Sequence, residues 1–362
     1  MPSLFTPLQL GALELPNRIL MAPLTRARAG REAMPNELMA RYYAQRASAG
    51  LIVSEAIGIT REGLGWPGAP GLWSEAQVEG WKQITESVHH AGGRIVAQLW
   101  HMGRLVHPDL GGGQPISSSA TTAPDFAHTY EGKKPYVEAR AATVDDIKRI
   151  LDDYTRAAGN AIRAGFDGVQ VHGANGYLVD QFLRDSANHR DDEYGGSIAN
   201  RIRFAREVLQ AVGDTIGIDR VGIRFSPNIH VQGAEDSDPV ALFTKVARTL
   251  EELKVPWIEL REPDKVTSAG SIPTAPVSPA MRRHYSGRIV INSDQDWTDA
   301  RARIADGHAD AVSIGRLFIA NPDLVRRIAT DAPLNPGDPA TFYSGGPEGY
   351  TDYPALGQQE AA

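Results

Sequence analysis

The chain has 362 residues, 37 Lys and Arg against 44 Asp and Glu, a formal net charge of −7, and is 42% hydrophobic and 22% charged. This is a globular composition, long enough to bury a full core without staples. The absence of cysteine excludes disulfides, thiolate metal sites and a Cys nucleophile, while the mild acidity argues against nucleic-acid binding. No run of about 20 apolar residues offers a membrane span. The opening Met1-Pro2-Ser3-Leu4-Phe5 lacks signal-peptide character, so a cytoplasmic location is expected.

Along the chain, short apolar runs alternate with helical patterns. Strand 19–25 is followed by a helix near 36–48, strand 50–56 by 75–91, and strand 94–100 by 144–164. Strand 167–172 then precedes helix 199–212, 220–226 precedes 238–253, and 256–261 precedes 277–284. The last units are 288–292 with 297–305 and 310–316 with 321–330. Such alternation implies right-handed crossovers and a parallel sheet. Eight units match an α/β architecture, the (β/α)8 TIM barrel, as a single domain over 1–362. Residues 101–143, rich in Gly, Pro, Ser and Thr, are too long for a plain loop. They read as a lid or hairpin inserted after the third strand and capping one face.

Period-2 alternation sorts the strand side chains. Val169 and Val171 oppose Gly168, Gln170 and His172; Val221 and Ile223 oppose Gly222 and Arg224; Ile258 and Leu260 oppose Trp257, Glu259 and Arg261. Likewise Ile95, Ala97 and Leu99 oppose Val96, Gln98 and Trp100, and Val312 and Ile314 oppose Ser313 and Gly315. The aliphatic face meets the helices. The other ends, strand after strand, in a polar group: Thr25, Gln98, His172, Arg224, Arg261 and Asn292. One such residue is an ordinary turn former or a satisfied core group. Six converging on the rim where barrel enzymes keep their chemistry need partners, which a ligand with many hydrogen-bonding edges provides.

Other signals narrow the ligand. The chain has no Walker loop or H-E-x-x-H, and its histidines do not group with carboxylates, so no metal is expected. His89 and His90 point apart on a helix. Gly315-Arg316 after the eighth strand suits phosphate, through close backbone approach and a bidentate guanidinium. Glu259 and Arg261 are expected to pair inside the rim. His101 is read as lid support, and Glu138 and Asp145-Asp146 as solvated surface. Tyr350 and Tyr353 are read as packing or site residues, both open.

Longer stretches carry a resemblance. They are Asn17-Arg18 with Met21-Ala22-Pro23-Leu24-Thr25-Arg26, Tyr42-Tyr43-Ala44-Gln45-Arg46, Gln98-Leu99-Trp100-His101, and His172-Gly173-Ala174-Asn175-Gly176-Tyr177-Leu178. Asn188-His189-Arg190-Asp191-Asp192-Glu193-Tyr194-Gly195-Gly196-Ser197, Asn321-Pro322-Asp323-Leu324 and the tail Gly349-Tyr350-Thr351-Asp352-Tyr353-Pro354 complete the set. Nearly end to end, the chain resembles the Old Yellow Enzymes, FMN-dependent ene-reductases. It is most similar to bacterial members that reduce enones, N-ethylmaleimide, nitrate esters and other xenobiotics.

The resemblance implies a tightly bound, non-covalent FMN and NADPH or NADH as reductant. Pro23, Leu24 and Ala56 would meet the flavin through backbone, and Thr25 would bond near its C4 carbonyl. Gln98 would bind the pyrimidine edge, Arg224 would face N1 and the C2 carbonyl, and Gly315 and Arg316 would hold the phosphate. His172 and Asn175 would bind the substrate oxygen, Tyr177 would donate the proton, and Trp66, Trp100 and Tyr343 would line the substrate side. Activated alkenes are the implied substrates, with nitro compounds or nitrate esters beside them, and a monomer or homodimer the implied assembly.

Two departures stand out. Asn175 replaces the second histidine of some relatives, which implies a shift in substrate preference. The segment Asn292-Ser293-Asp294-Gln295-Asp296-Trp297-Thr298 replaces a glycine-rich phosphate stretch, so no residue of 292–298 is assigned to the phosphate. Stereochemical preference is expected to rest on 101–143 and the loop 262–276. The alternative is another flavin-barrel reaction such as 2-hydroxy acid oxidation, for which Tyr177 would be a poor base.

Overall fold

A computed structural model describes residues 2–263, 274–292, 297–343 and 345–357. Residues 293–296, with Asp294 and Asp296, and 264–273 of the 262–276 loop lie outside the described residues.

Eight parallel strands close into a barrel. They are β1 (Ile19–Met21), β2 (Leu51–Gly58), β3 (Ile95–Trp100), β4 (Gly168–His172), β5 (Val221–Phe225), β6 (Trp257–Arg261), β7 (Arg288–Asn292) and β8 (Ala311–Ile314). Each pairs with the next, and β8 returns to β1 with Ile314 beside Met21. All eight predicted strands form, with two notable changes of length. β1 stops at Met21, short of Thr25, because Pro23 has no N–H for the ladder and restricts the residue before it. β2 runs past Ala56 to Gly58 through a register shift between Val53 and Ala56, the signature of a bulge.

The helices include α1 (Glu37–Ala44), α2 (Glu75–His90) and α3 (Val144–Arg163). They continue with α4 (Leu178–Leu183), α5 (Ile198–Ile216), α6 (Pro239–Leu253), α7 (Ser278–Arg282) and α8 (Trp297–Ala305). The predicted helix 321–330 starts only at Leu324, as α10 (Leu324–Thr330), and an unpredicted short helix, α9 (Arg316–Ala320), precedes it; Pro322 separates the two, because it lacks a helical donor and disfavours α geometry at Asn321. Capping boxes begin α2, from Ser74 and Gln77, and α3, from Thr143 and Asp146. Asp146 is therefore a cap and not solvated surface: its carboxylate accepts from the Thr143 N–H at 2.9 Å and pairs with Arg140.

The aliphatic strand faces pack against the helices, with Val169, Val171 and Ile223 in one buried cluster with Ile147, Ile150 and Phe204. Inside the barrel, Leu20, Leu51, Val53, Val96, Trp257, Val290 and Ala311 form an apolar layer. It is sealed from below by a hairpin of Leu8–Leu10 and Leu13–Leu15. Gly222 makes room for Trp257, whose ring would lie 2.2 Å from any Cβ placed there.

Within residues 101–143, Ile116–Ser117 pair with Arg140–Ala141, and between them lies a hairpin of Phe126–Thr129 and Gly132–Pro135. That hairpin leans on the loop holding Trp66. The His128 ring lies 4.5 Å from the Trp66 ring, and the Tyr130 hydroxyl accepts from the Gly68 N–H at 3.1 Å. Among the described residues, no helix is long and apolar enough to cross a membrane.

Candidate functional site

The carboxyl ends of the strands open into a cleft of about 240 Å³. Its lining includes Ala22, Pro23, Leu24 and Thr25 after β1, Arg224 at the end of β5, Asn292 at the end of β7, and Gly315 and Arg316 after β8. Trp66, Asn175, Tyr177, Arg261, Ile319, Phe342 and Tyr343 complete it. Ten of the predicted site residues thus share one cleft. Ala56, Gln98, Trp100 and His172 are buried and are not part of its lining.

The loop after β4 is held firmly. Asn175 and Gly176 both have positive φ, 60° and 74°, a pair of left-handed residues that Asn and Gly tolerate best. The Asn175 N–H donates to Ser226 Oγ at 2.8 Å, and the Gly176 N–H to Asp180 Oδ2 at 3.0 Å. Asp180 pairs in turn with buried Arg184 at 2.8 Å. These contacts start α4, an element with too few periodic residues to be predicted, and they fix Tyr177 as its first flanking residue.

Three aromatic groups converge beside the cleft. The Tyr177 ring meets His172 edge-on at 4.8 Å and Trp100 edge-on at 5.0 Å. His172 Nδ1 accepts from the Ala174 N–H at 3.4 Å, which puts the ring proton on Nε2. Burial, then Arg224 and Arg261, push the imidazole well below the usual histidine range, so the ring is a neutral donor. Burial raises the Tyr177 phenol well above its ordinary value, so it stays protonated at neutral pH. His101 is likewise neutral: burial lowers it to about 3. Its Nδ1 accepts from the Gly103 N–H, and its backbone carbonyl from the Leu178 N–H, so it ties the inserted segment to α4.

The expected Glu259–Arg261 pair does not form as such. Arg261 Nη1 donates to Asn175 Oδ1 at 2.9 Å, while Glu259 lies deeper and faces Arg224, with Nε 3.3 Å from Oε1. Register decides this, since β5 sets Arg224 directly beside Glu259. Arg224 Nη2 donates to Asn292 Oδ1 at 2.7 Å.

Sequence reasoning also missed Glu55. Its buried carboxylate accepts from the Arg26 and Ala27 N–H groups at 3.1 and 3.2 Å, and burial raises its pKa. It anchors the turn that presents Pro23 to Thr25, and an even-looking apolar run concealed it. The tail tyrosines resolve into packing. Tyr350 stacks on Tyr42 at 4.1 Å, under the guanidinium of Arg26, and the Tyr353 hydroxyl accepts from the Asp338 N–H.

Residues 3–335 match the model of the NADH:flavin oxidoreductase / NADH oxidase family. Rice (Oryza sativa subsp. japonica) 12-oxophytodienoate reductase 1 is 44% identical, over 98% of this chain and 93% of that protein. The structure of an old yellow enzyme homologue from Zymomonas mobilis superposes with a TM-score of 0.96 at 53% identity, covering 98% of this chain and 100% of the other. Morphinone reductase in complex with tetrahydroNAD gives a TM-score of 0.93 at 44% identity, with both chains fully covered. These matches do not favour a 2-hydroxy acid oxidase. The chain belongs to the NADH:flavin oxidoreductase / NADH oxidase family, as an Old Yellow Enzyme-type FMN-dependent ene-reductase driven by NAD(P)H.

Proposed function

We propose that the cleft reduces activated alkenes, with His172 and Asn175 binding the substrate's electron-withdrawing oxygen and Tyr177 giving the proton. The observation that carries this reading is that the protonated Tyr177 lines the cleft together with Asn175 and Arg224 and meets the neutral, buried His172 ring edge-on at 4.8 Å.

The donor set fits FMN. Arg224 and Arg316 both bring fixed positive charge to the cleft, which Pro23, Leu24 and Thr25 also line. That matches a flavin whose reduced ring and phosphate are both anionic. Arg224 and Gln98 would hold its pyrimidine edge, Thr25 its C4 carbonyl, and Gly315 and Arg316 its phosphate. Bound there, FMN supplies the hydride for the alkene's β-carbon after reduction by NADPH or NADH.

The chain's own residues do the rest. Arg261 can only donate, so the Asn175 atom facing it is the carbonyl, and the Asn175 amide N–H₂ is left for the substrate. His172 Nε2–H supplies the second donor. Two preorganised N–H groups aimed at one oxygen stabilise negative charge developing there as an enolate. Neutral donors suit this task, because a charged imidazolium would bind anions indiscriminately. Tyr177 then protonates the α-carbon, and its raised pKa prevents loss of that proton to solvent beforehand. Trp66 and Tyr343 restrict the open side. A nitro oxygen presents the same acceptor as a carbonyl, so nitroalkenes fall within this reading.

The test is anaerobic. The yellow protein should bleach with NADPH or NADH under nitrogen and recover its colour with 2-cyclohexenone or a nitroalkene. Recovery with neither, or bleaching by lactate or glycolate, would reject the reading.

A further inference from the structure

We infer that Glu259, a carboxylate buried inside the barrel, is a positioning residue that sets both the orientation of Gln98 and the effective charge of Arg224. This rests on the proposed placement of the flavin's pyrimidine edge.

Glu259 has no solvent exposure. Its Oε1 accepts from Ser313 Oγ at 2.7 Å and lies 3.3 Å from Arg224 Nε. Its Oε2 accepts from Gln170 Nε2 at 2.7 Å, and Gln170 Oε1 accepts from Gln98 Nε2 at 2.7 Å. One carboxylate therefore reaches two of the groups expected at the ligand, by two routes across four strands.

The first route fixes direction. An ionised carboxylate can only accept, so Gln170 must turn its N–H₂ toward Glu259 and its carbonyl toward Gln98. Gln98 must then turn its own N–H₂ toward Gln170. Its carbonyl is left over, and among the described residues no side chain or backbone donor satisfies it. The relay thus presents an acceptor, the polarity that an imide N–H requires. Without a charged end, both amides could flip together at little cost.

The second route sets charge. The Arg224 Nε–H is not aligned for a hydrogen bond to Glu259, so the pair acts as charge beside charge. An anion this near, in a medium that screens poorly, offsets part of the guanidinium's field in the cleft. A bound ring that becomes anionic on reduction is stabilised less than by Arg224 alone. Glu259 should hold the flavin potential down, which favours giving the hydride away.

The experiment compares holoenzymes by spectroelectrochemistry and by FMN release on dilution. Glu259→Gln should favour reduced over oxidised flavin about tenfold, a rise of about 30 mV for a two-electron couple. Gln170→Met cuts the relay but leaves the ion pair, so it should release FMN several-fold faster with an unchanged potential. Lower thermal stability in both variants, with potential and release unmoved, would reduce Glu259 to a structural group and overturn the inference. If Glu259→Gln does not fold, wild-type FMN release in Gln170→Met overturns the relay by itself. Arg224→Gln separates the two levels. If it moves neither potential nor release, the pyrimidine placement is wrong; if it lowers the potential while Glu259→Gln leaves it unmoved, only the role of Glu259 fails.

Discussion

At the amino ends of the strands, Leu20, Leu51, Val53, Val96, Trp257, Val290 and Ala311 interdigitate above an apolar hairpin. Toward the carboxyl ends of the barrel strands, Gln98, Gln170, Arg224, Glu259 and Asn292 hold one another by hydrogen bonds and one ion pair. The alternation of side chains is the same at both ends. What differs is whether the inward position is given to packing or to polarity, so stability and chemistry are separated along one axis. The strongest way to break this contrast is at the sealed end. Trp257→Ala should cost about 3–5 kcal/mol of unfolding free energy, as large cavities do, measured by urea denaturation. Flavin content and enone turnover per folded molecule should stay near wild type. A large loss of turnover there would mean that the two ends are not independent.

The matching change at the open end is Tyr177→Phe. It removes one proton donor and leaves the edge-on ring contacts with Trp100 and His172. Re-oxidation of the reduced enzyme by 2-cyclohexenone should slow at least about 100-fold, roughly 2.7 kcal/mol of barrier. Reduction by NADPH or NADH should keep its rate, and the unfolding midpoint should barely move. Stopped-flow measurement of the two half-reactions separates them. An unaffected enone step would remove Tyr177 from the chemistry.

The same contrast explains what could be read from the sequence. Period-2 strands and 3.6-period helices are local, so eight units and the inward and outward faces were visible in the residues themselves. The polar rim followed from position, one residue toward the end of six of the eight strands. Partnerships inside the rim did not follow. Glu259 stands two residues from Arg261 in the chain, yet the register of β5 against β6 gives it to Arg224. Asn175 could be placed, but not the positive φ or the Ser226, Asp180 and Arg184 contacts that hold it. Glu55 and Asp146 were hidden for a similar reason: each acts on backbone N–H groups, which carry no residue identity.

Acidification should distinguish the two ends by stability. His172 and His101 are both buried and both held below the usual histidine range, His101 at about 3. In the unfolded chain each titrates near 6.5. Between those values the unfolded state binds more protons, so stability is complete above about pH 6.5 and falls as pH drops below it. The slope is about 1.4 kcal/mol per pH unit for each ring. His101→Asn, whose amide oxygen can still accept from the Gly103 N–H, should make the acid limb shallower by one such slope between pH 6 and 4.5. An unchanged limb, in urea titrations across that range, would show that the ring is protonated in the folded protein.

The smallest expected effect sharpens the contrast within the open end, where one charged group is buried and another borders the cleft. Arg261 does not need to touch the substrate to matter, because its guanidinium fixes which way the Asn175 amide faces. In Arg261→Met the carbonyl and amide of Asn175 become interchangeable, and part of the population presents an oxygen to the substrate's oxygen. Losing one hydrogen bond of this kind costs about 1 kcal/mol. KM for 2-cyclohexenone should therefore rise several-fold, while kcat changes less and reduction by NADPH or NADH is unaffected. Asn175→Asp should raise KM further, since both of its oxygens repel the acceptor and neither flip restores a donor. If the two variants instead left KM alone and lowered only kcat, Asn175 would act on the transition state without holding the bound substrate, and the ground-state role given to its amide would be wrong.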